Sequence, residues 1–412
     1  MRKANNVIFS CIIALTLVCP LAYMAINALF PAVVNAPVES ELENRTYTAL
    51  PEPHVRTIAN GEVQNQYESY IADHIPGRDM CLLANAALQR ASISLSAQVA
   101  GYDIYPTFFA SDYYVIPSDG VIVSKAELRP TRNEEKRSKA WIDTLNDVAK
   151  KHPEISFVYD CVVRHDQSEV NPTYHLLSGE KVSSEWITEH ILDKLDPSID
   201  SFTDTVDSYQ EIKDEWIPTE EHWTIQRALR SYNKIAKRLS LKEFKYENER
   251  EVIERCYGDY SRVGLDLDFT YNLYDIPSDF SGLKFYKLGD AGGAEIKIGK
   301  REAILSGELT VPPYSYHGYT RFYGGGSSEV VNEGANNGKT ALIVSDSLLY
   351  PLRRVIASNY EHSVFLLPGN DDLKGSFESY LEKYRPDDVI IMIHATKYRT
   401  FAAHSPEFVG LG

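Results

Sequence analysis

Two short polar segments, far apart in the chain, contain the residue types of a serine nucleophile and its proton acceptor. TEEHWT at 219–224 contains Glu220 and His222, and VSDSL at 344–348 contains Ser347. A carboxylate two residues before a histidine can hydrogen-bond the ring, fix its tautomer and stabilise the imidazolium formed during proton transfer. A histidine held in this way could activate the Ser347 hydroxyl for attack on an ester. Thr224 could cap the helix that apolar spacing predicts from Ile225 to Leu239, which would keep residues 220–223 in the preceding turn. The alternative for the first segment is an ordinary solvated surface turn.

The position of Ser347 favours a nucleophilic role, because a strand there turns into a helix. Residues 340–344 form a short apolar run, and apolar residues then recur at helical spacing from 348 onward. The first N–H groups of a helix lack intrahelical acceptors and carry partial positive charge, so they can stabilise an oxyanion. Pro351 fits the first helical turn, where no N–H is needed. The alternative is that Asp346 or Ser347 only caps the helix.

Three further residues are candidates for contact with a substrate. His394 ends the last apolar run, at the expected site edge of the sheet, and is a second candidate base. Asp346 precedes the serine, and Tyr323 precedes three glycines at 324–326, which could line a groove or form a plain turn. Zinc is disfavoured at His222, because no second histidine stands at ligand spacing. We expect no metal and no cofactor, since the sequence has neither a Walker A loop nor G-x-G-x-x-G after a strand.

The elements that must position these residues indicate an α/β fold. Four apolar runs, at 155–163, 340–344, 363–367 and 389–393, alternate with segments of helical spacing. This alternation predicts a parallel sheet covered by helices on both faces, with its ligand site at the carboxyl ends of the strands. Residues 240–340 break the pattern, and short alternating stretches at 295–298 and 309–311 predict a β-rich insertion or cap.

The N-terminal region predicts a membrane anchor. Residues 7–30 carry no charge and are long enough to cross a hydrocarbon core of ~30 Å. A cleaved signal peptide, with a small-residue site at 34–36, is the alternative, but its apolar core is usually about 7–15 residues. Arg2 and Lys3 precede the run and acidic residues follow it, so the positive-inside rule places the N-terminus in the cytoplasm. We expect a single-pass protein of the cell membrane with its main domain extracytoplasmic.

These signals divide the chain into six segments. They are a cytoplasmic tail (1–6), a transmembrane anchor (7–30), a linker (31–60), the first part of the main domain (61–240), the β-rich insertion or cap (241–338) and the C-terminal part of the main domain (339–412).

Composition argues against nucleic acid as a partner and against a disulfide framework. Asp and Glu outnumber Lys and Arg by 58 to 42, and the formal charge of −16 would repel a phosphate backbone. Cys81, Cys161 and Cys256 lie outside the apolar run, an odd number at wide spacing. They could form one disulfide or remain buried free thiols.

Six segments, in order along the chain, resemble the DHHW proteins and their relatives, the SGNH-hydrolase-like proteins of bacterial polysaccharide O-acetylation, which include the periplasmic alginate O-acetyltransferases. They are ENR at 43–45, YIADHIPGR at 70–78, TEEHWT at 219–224, GDYSR at 258–262, the strand ending in D-S at 339–348 and the closing strand at 386–393. The second is similar to the family's DHFPGR segment and the third to its T-D-H-H-W-T signature. The resemblance spans roughly residues 40–395.

The resemblance implies an SGNH-hydrolase-like three-layer fold with a permuted order of catalytic motifs. Ser347 would be the nucleophile, His222 the general base and Glu220 the orienting carboxylate. An O-acyl group would move onto or off a cell-surface polysaccharide, with a multi-pass membrane acyltransferase as a partner if the task is transfer.

The sequence departs from the family at two positions of the histidine segment. Glu220 and Glu221 stand where the family has Asp and His, and the added charge of Glu221 should raise the pKa of His222. The same departures fit an inactive glycan-binding or envelope scaffold protein on the same fold.

Overall fold

The computed structural model describes residues 39–43, 45–52, 62–75, 77–107, 109–247, 249–276, 278–371 and 373–411. They form two compact units, which divide after residue 100. The predicted anchor at 7–30, the signal-peptide site at 34–36 and much of the predicted linker lie outside the described residues. Over the described ranges, none of the helices combines the length and apolarity needed to cross a bilayer.

In the first unit, ion pairs join Glu43 and Arg45 to two residues of the segment at 70–78. It contains strands β1 (Glu39–Ser40) and β2 (Arg45–Thr46) and helices α1 (Glu62–Asp73) and α2 (Arg78–Ala100). Arg45 Nη1 donates to Asp73 Oδ2 at 2.9 Å, and Arg78 Nη2 donates to Glu43 Oε1 at 3.0 Å. The Arg45 guanidinium holds the pKa of Asp73 well below its usual range. The charged residues of ENR and ADHIPGR are therefore explained by local structure.

The second unit contains the remaining elements. Its strands are β3 (Tyr105–Pro106), β4 (Tyr113–Ile116), β5 (Val121–Ser124), β6 (Ser156–Val162), β7 (Ile199–Asp204), β8 (Arg250–Cys256), β9 (Tyr271–Asp275), β10 (Leu283–Lys287), β11 (Ser328–Asn332), β12 (Thr340–Ser345), β13 (His362–Leu366) and β14 (Asp388–His394). Its helices are α3 (Arg132–Lys151), α4 (Ser184–His190), α5 (Tyr209–Glu215), α6 (Ile225–Leu239), α7 (Asp259–Val263), α8 (Arg301–Ser306), α9 (Gly318–Tyr323), α10 (Arg353–Ala357), α11 (Phe377–Tyr384) and α12 (Tyr398–His404), with 3₁₀ helices at His165–Gln167, Leu192–Lys194 and Ser347–Leu352.

The main sheet has seven strands in the order β10-β11-β13-β12-β14-β6-β7. β13, β12, β14, β6 and β7 pair in parallel, whereas β11 is antiparallel to both of its neighbours. The four runs that predicted parallel strands correspond to β6, β12, β13 and β14. The predicted α/β class and the largely parallel sheet are therefore confirmed.

The core occupies both faces of this sheet, as continuous apolar strands require. On one face Ile343 of β12 and Ile390 of β14 are buried with side chains of α6 and α10. On the other face Leu342 and Ile391, their neighbours along the same strands, are buried with side chains of α3, α11 and α12. Helices therefore cover both faces, which gives three layers.

The predicted insertion at 241–338 is partly built into the main sheet. β8 and β9 form a separate antiparallel pair, but β10 and β11 extend the main sheet next to β13. The strands predicted from alternation at 295–298 and 309–311 were wrong, because the chain has no strand at either stretch. Alternation at 295–298 reflects the burial of single side chains such as Ile298. The Ile296 N–H donates to the Phe285 carbonyl of β10 at 2.7 Å, but this contact does not extend into a strand.

The cysteines outside the predicted anchor are free. Cys81 is exposed, whereas Cys161 and Cys256 are buried.

Candidate active site

The carboxyl end of β12 places Ser347 at the sheet edge where the sequence predicted a site. β12 ends at Ser345, and a 3₁₀ helix begins at Ser347. Asp346 is the residue that caps this helix, because its Oδ1 accepts a hydrogen bond from the Leu348 N–H at 2.9 Å. The Ser347 hydroxyl is therefore not needed for capping.

A tight loop between α5 and α6 presents the carboxylate and the histidine. Trp216 and Trp223 form a β-bridge across its base, and the Ile217 N–H donates to the His222 carbonyl at 3.0 Å. Thr224 then caps α6 by accepting from the Arg227 N–H at 3.4 Å. This capping confirms the predicted start of α6 and leaves 219–223 in a turn rather than in the helix.

Packing from β8 and α7 supports the same loop. The Tyr260 N–H donates to the Thr219 carbonyl at 3.0 Å. A Cβ at Gly258 would lie 2.0 Å from that carbonyl oxygen, so a glycine is required at this contact. The GDYSR segment of the sequence resemblance thus lies directly against the TEEHWT segment.

Ser347, His222 and Glu220 form a continuous hydrogen-bond chain. His222 Nε2 lies 3.0 Å from Ser347 Oγ, and His222 Nδ1 lies 2.9 Å from Glu220 Oε2. Because a carboxylate accepts at Nδ1, that nitrogen carries the proton and Nε2 is the acceptor for the serine hydroxyl. The extra methylene of Glu220, relative to aspartate, does not prevent it from reaching the ring.

The electrostatics of this chain favour a basic imidazole. Glu220 and His222 are almost fully buried, at 2% and 4% exposure. Burial opposes the charged ring, but the hydrogen bond and negative charge of Glu220, with a smaller effect of Glu221, raise the pKa of His222 above its usual value. Burial also raises the pKa of Glu220, which the charged ring partly offsets.

Two tyrosines that sequence reasoning missed hold the triad in place. The Tyr319 ring stacks on His222 with centroids 3.9 Å apart and an interplanar angle of 13°, and its hydroxyl donates to the Ser347 carbonyl at 3.0 Å. The Tyr271 hydroxyl donates to Glu220 Oε1 at 3.3 Å and accepts from the Tyr319 N–H at 3.1 Å. No local pattern marks these two among the 27 tyrosines of the chain.

Glu221 does not share the role of its neighbours. Its Oε2 accepts from Arg164 Nη1 at 2.9 Å, and Arg164 also pairs with Asp166 through Nε and Nη2 at 3.0 and 2.6 Å. Burial opposes the Glu221 charge, but Arg164 outweighs it and lowers the pKa of Glu221. The carboxylate beside His222 is thus charged and neutralised by an arginine that is distant in the chain, so no sequence spacing indicates this pair.

The three predicted substrate-contacting residues have different surroundings. Asp346 Oδ2 accepts from the His394 N–H at 2.9 Å and lies 2.8 Å from His394 Nδ1, so the two are joined beside Ser347. Tyr323 is buried, at 3% exposure, and its hydroxyl donates to the Tyr274 carbonyl at 2.7 Å.

In the described part of the chain, no group of three or more His, Cys, Asp or Glu residues is placed to hold a metal ion.

Comparison with known proteins supports the fold. No family model and no curated protein matches the sequence. PatB1 of Bacillus cereus with a sulfonyl adduct is similar at 16% identity over 69% of this chain and 96% of that chain, with a TM-score of 0.52. A DHHW family protein from Eubacterium siraeum is similar at 16% identity over 72% of this chain and 93% of that chain, with a TM-score of 0.50.

The O-acetyltransferase domain of Pseudomonas putida AlgJ matches more weakly. Its identity is 12% over 68% of this chain and 90% of that chain, with a TM-score of 0.36. PatB1 and the DHHW structure show that this chain has their fold. The resemblance to DHHW proteins, inferred from six short segments, is therefore confirmed by the three-dimensional structure.

Proposed function

We propose that this protein transfers an O-acyl group, acetyl in the first instance, onto or off a cell-surface polysaccharide through an acyl-serine at Ser347. The single observation that carries the proposal is the Ser347–His222–Glu220 hydrogen-bond chain at the carboxyl edge of the sheet. Nucleophile, base and orienting carboxylate stand in hydrogen-bond order, as acyl transfer through serine requires.

The reaction would proceed in two half-steps. His222 Nε2 takes the proton of Ser347 Oγ as that oxygen bonds to the acyl carbonyl carbon. The tetrahedral intermediate collapses, the ester C–O bond breaks, and the leaving alkoxide takes the proton from His222. A sugar hydroxyl or water then gives its proton to Nε2 as its oxygen bonds to the acyl carbon of the acyl-serine. The bond between the acyl carbon and Ser347 Oγ breaks, and Oγ takes the proton back from His222.

Two groups would stabilise the charges that develop. Glu220 remains ionised and hydrogen-bonded to Nδ1, so it stabilises the imidazolium without taking its proton. The Ser347 amide stands first in its 3₁₀ helix, where N–H groups lack intrahelical acceptors, and it is the candidate donor to the oxyanion.

The alternative of an inactive glycan-binding or scaffold protein is less well supported. A lost active site has no reason to keep the serine hydroxyl and the histidine at 3.0 Å, or a buried carboxylate on the second ring nitrogen. The replacement of the family's Asp by Glu220 leaves this arrangement intact, so it does not argue for inactivity.

The cellular setting belongs to the same proposal and is supported by the sequence alone. The charge-free run at 7–30 and the charge distribution around it support a single-pass anchor with a cytoplasmic N-terminus. A protein held in this way would meet the polysaccharide outside the cytoplasm. A multi-pass membrane acyltransferase would supply the acyl group if the reaction is transfer.

Hydrolysis of 4-nitrophenyl acetate by the full-length protein in mild detergent tests the proposal. Ser347→Ala should reduce nitrophenol release by at least about 10³-fold, because the hydroxyl that would form the acyl-enzyme is lost. Ser306→Ala, which changes an exposed serine at the end of α8, is the matched control and should retain full activity. Equal release by wild type and Ser347→Ala would contradict the proposal. Adding oligosaccharides then shows whether sugar or water receives the acyl group.

A further inference from the structure

A polar cleft of about 500 Å³ is lined by Glu221, which immediately precedes His222 in the chain. Arg164, Tyr113 and Tyr260 line the same cleft. Its size falls within the range of small-molecule and cofactor sites. The residues that line it come from β4, from the segment after β6, from the histidine loop and from α7, so the cleft is formed by tertiary structure.

An aromatic ring is fixed at the wall of this cleft. Tyr113 and Tyr260 stack with centroids 4.6 Å apart and an interplanar angle of 27°. Tyr260 is buried, at 4% exposure, whereas Tyr113 is half-buried. Burial raises the pKa of Tyr113 to about 12, so its hydroxyl remains a donor at neutral pH. A rigid aromatic surface beside convergent polar groups is the usual make-up of a ligand site.

The charges of the cleft are already paired with one another. Four cationic side chains and five carboxylates line it. Arg164 donates to Asp166 and Glu221, Arg399 donates to Glu127, and each of the other two cations lies within 3.3 Å of a carboxylate. Among the described residues that line the cleft, each cation therefore has a carboxylate partner, and the formal charge of the lining is −1.

The pairing of the charges in the cleft bears on which sugars it can bind, uncharged or acidic. A sugar hydroxyl can donate to a paired carboxylate or accept from a paired guanidinium without breaking the ion pair. A uronate carboxylate would have to displace one of these partners, in a negative cleft on a chain of charge −16. Displacement would leave a partly buried carboxylate without its cation, which is unfavourable.

We propose that this cleft is the acceptor subsite of the acyl transfer proposed above, on which it rests, and that it binds uncharged sugar residues in preference to uronic acid polymers. Tyr113 provides the surface on which a sugar ring packs. The Arg164–Glu221 pair provides hydrogen bonds to its hydroxyls and holds the sugar next to His222.

Calorimetric titration of full-length Ser347→Ala tests this proposal with matched ligands. Oligogalacturonates and oligomannuronates are compared with their methyl esters, which keep the sugar skeleton and remove the charge. At low salt the esters should bind at least about tenfold more tightly than the acids. High salt should reduce this difference in affinity, because it screens the repulsion between the uronate and the negative lining of the cleft. Equal or tighter binding of the acids, or no binding of either form, would overturn the proposal.

Variants locate the effect in the cleft. Glu221→Gln, in the same Ser347→Ala background, should bring the affinities for acids and esters to within about threefold of each other, because it removes one negative charge beside the sugar. Glu333→Gln, an exposed carboxylate that follows β11 and pairs with Lys284, should leave the preference unchanged. An unchanged preference in Glu221→Gln would overturn the charge argument. Because nitrophenyl acetate hydrolysis reports on Ser347 and this titration does not, failure of the proposed function and failure of the sugar preference can be distinguished.

Discussion

Two buried polar networks flank helix α6, and they handle charge differently. The first, the candidate triad of Glu220, His222 and Ser347, joins the loop that precedes α6 to the carboxyl end of β12. The second, here called the core network, lies where α6 meets β6 and β7 and consists of Asp160, Asp204, Glu215, Arg227 and Ser231. Arg227 is fully buried and donates to Glu215 Oε2 at 2.7 Å, to Asp204 Oδ1 at 3.1 Å and to the Thr205 carbonyl at 2.7 Å.

The difference lies in the cation that compensates the buried carboxylates. In the core network the cations are Arg227, Arg230 and Lys234, which pair with Asp204 and Glu215. Arginine stays charged at all relevant pH values, so these ion pairs are a fixed part of the fold. In the triad the cation is histidine, whose charge can appear and disappear near neutral pH. Under the proposed function, burial of a carboxylate therefore serves structure in the core network and proton transfer in the triad, according to the partner of the carboxylate.

The largest effect expected beyond loss of the serine comes from removing the charge that faces His222. Glu220→Gln should lower the rate of ester hydrolysis by about 10²–10⁴-fold, because the amide stabilises the imidazolium poorly and permits the wrong tautomer. Wild-type activity should rise as pH increases through a His222 pKa above the usual value, and the variant's rising limb should move to lower pH. The pH profile of kcat/KM measures this shift. Glu221→Gln should shift the limb less, because Arg164 already neutralises that carboxylate.

Substitutions in the core network should change the stability of the fold instead of the rate of ester hydrolysis. Arg227→Leu is expected to lower the free energy of unfolding by about 3–5 kcal/mol, because Asp204 and Glu215 lose a fully buried partner. Arg238→Leu, on the same helix but 32% exposed, should cost about 1 kcal/mol or less. Denaturant unfolding of both variants makes the comparison. Equal losses of unfolding free energy in the two variants would show that burial of the ion pair does not determine its contribution to stability.

The smallest effect is a change in how stability depends on pH. Burial, with the charge of Asp204, raises the pKa of Asp160 to about 8, against about 3.9 in an unfolded chain. Between these values the folded state binds a proton that the unfolded state has lost, so stability falls as pH rises, by at most about 1.4 kcal/mol per pH unit. Asp160→Asn should flatten this slope in unfolding measurements from pH 5 to 7.

The matched control for that slope is an exposed carboxylate of the neighbouring strand. Asp200→Asn, at 53% side-chain exposure, should leave the slope as it is in the wild type. A slope that survives in Asp160→Asn would assign the pH dependence to another group.

The sequence predicted the elements whose signals are local. Continuous apolar runs marked β6, β12, β13 and β14, because strands buried on both faces have no polar side to show. Thr224 marked the start of α6 through a capping residue and helical periodicity. The sequence could not show that β10 and β11 extend the main sheet, because strand pairing depends on partners distant in the chain.

The candidate site likewise has features that the sequence indicates and features that only the tertiary structure shows. The residue types and order of Glu220, His222 and Ser347 were readable, since each stands in a short segment with a recognisable neighbourhood. Only the tertiary structure brings Ser347 within 3.0 Å of His222, across 125 positions of the chain, and shows that Asp346, not the serine, caps the helix. It alone adds Tyr319 and Arg164, because stacking on a ring and pairing with a buried carboxylate depend on distances in space that no sequence spacing records.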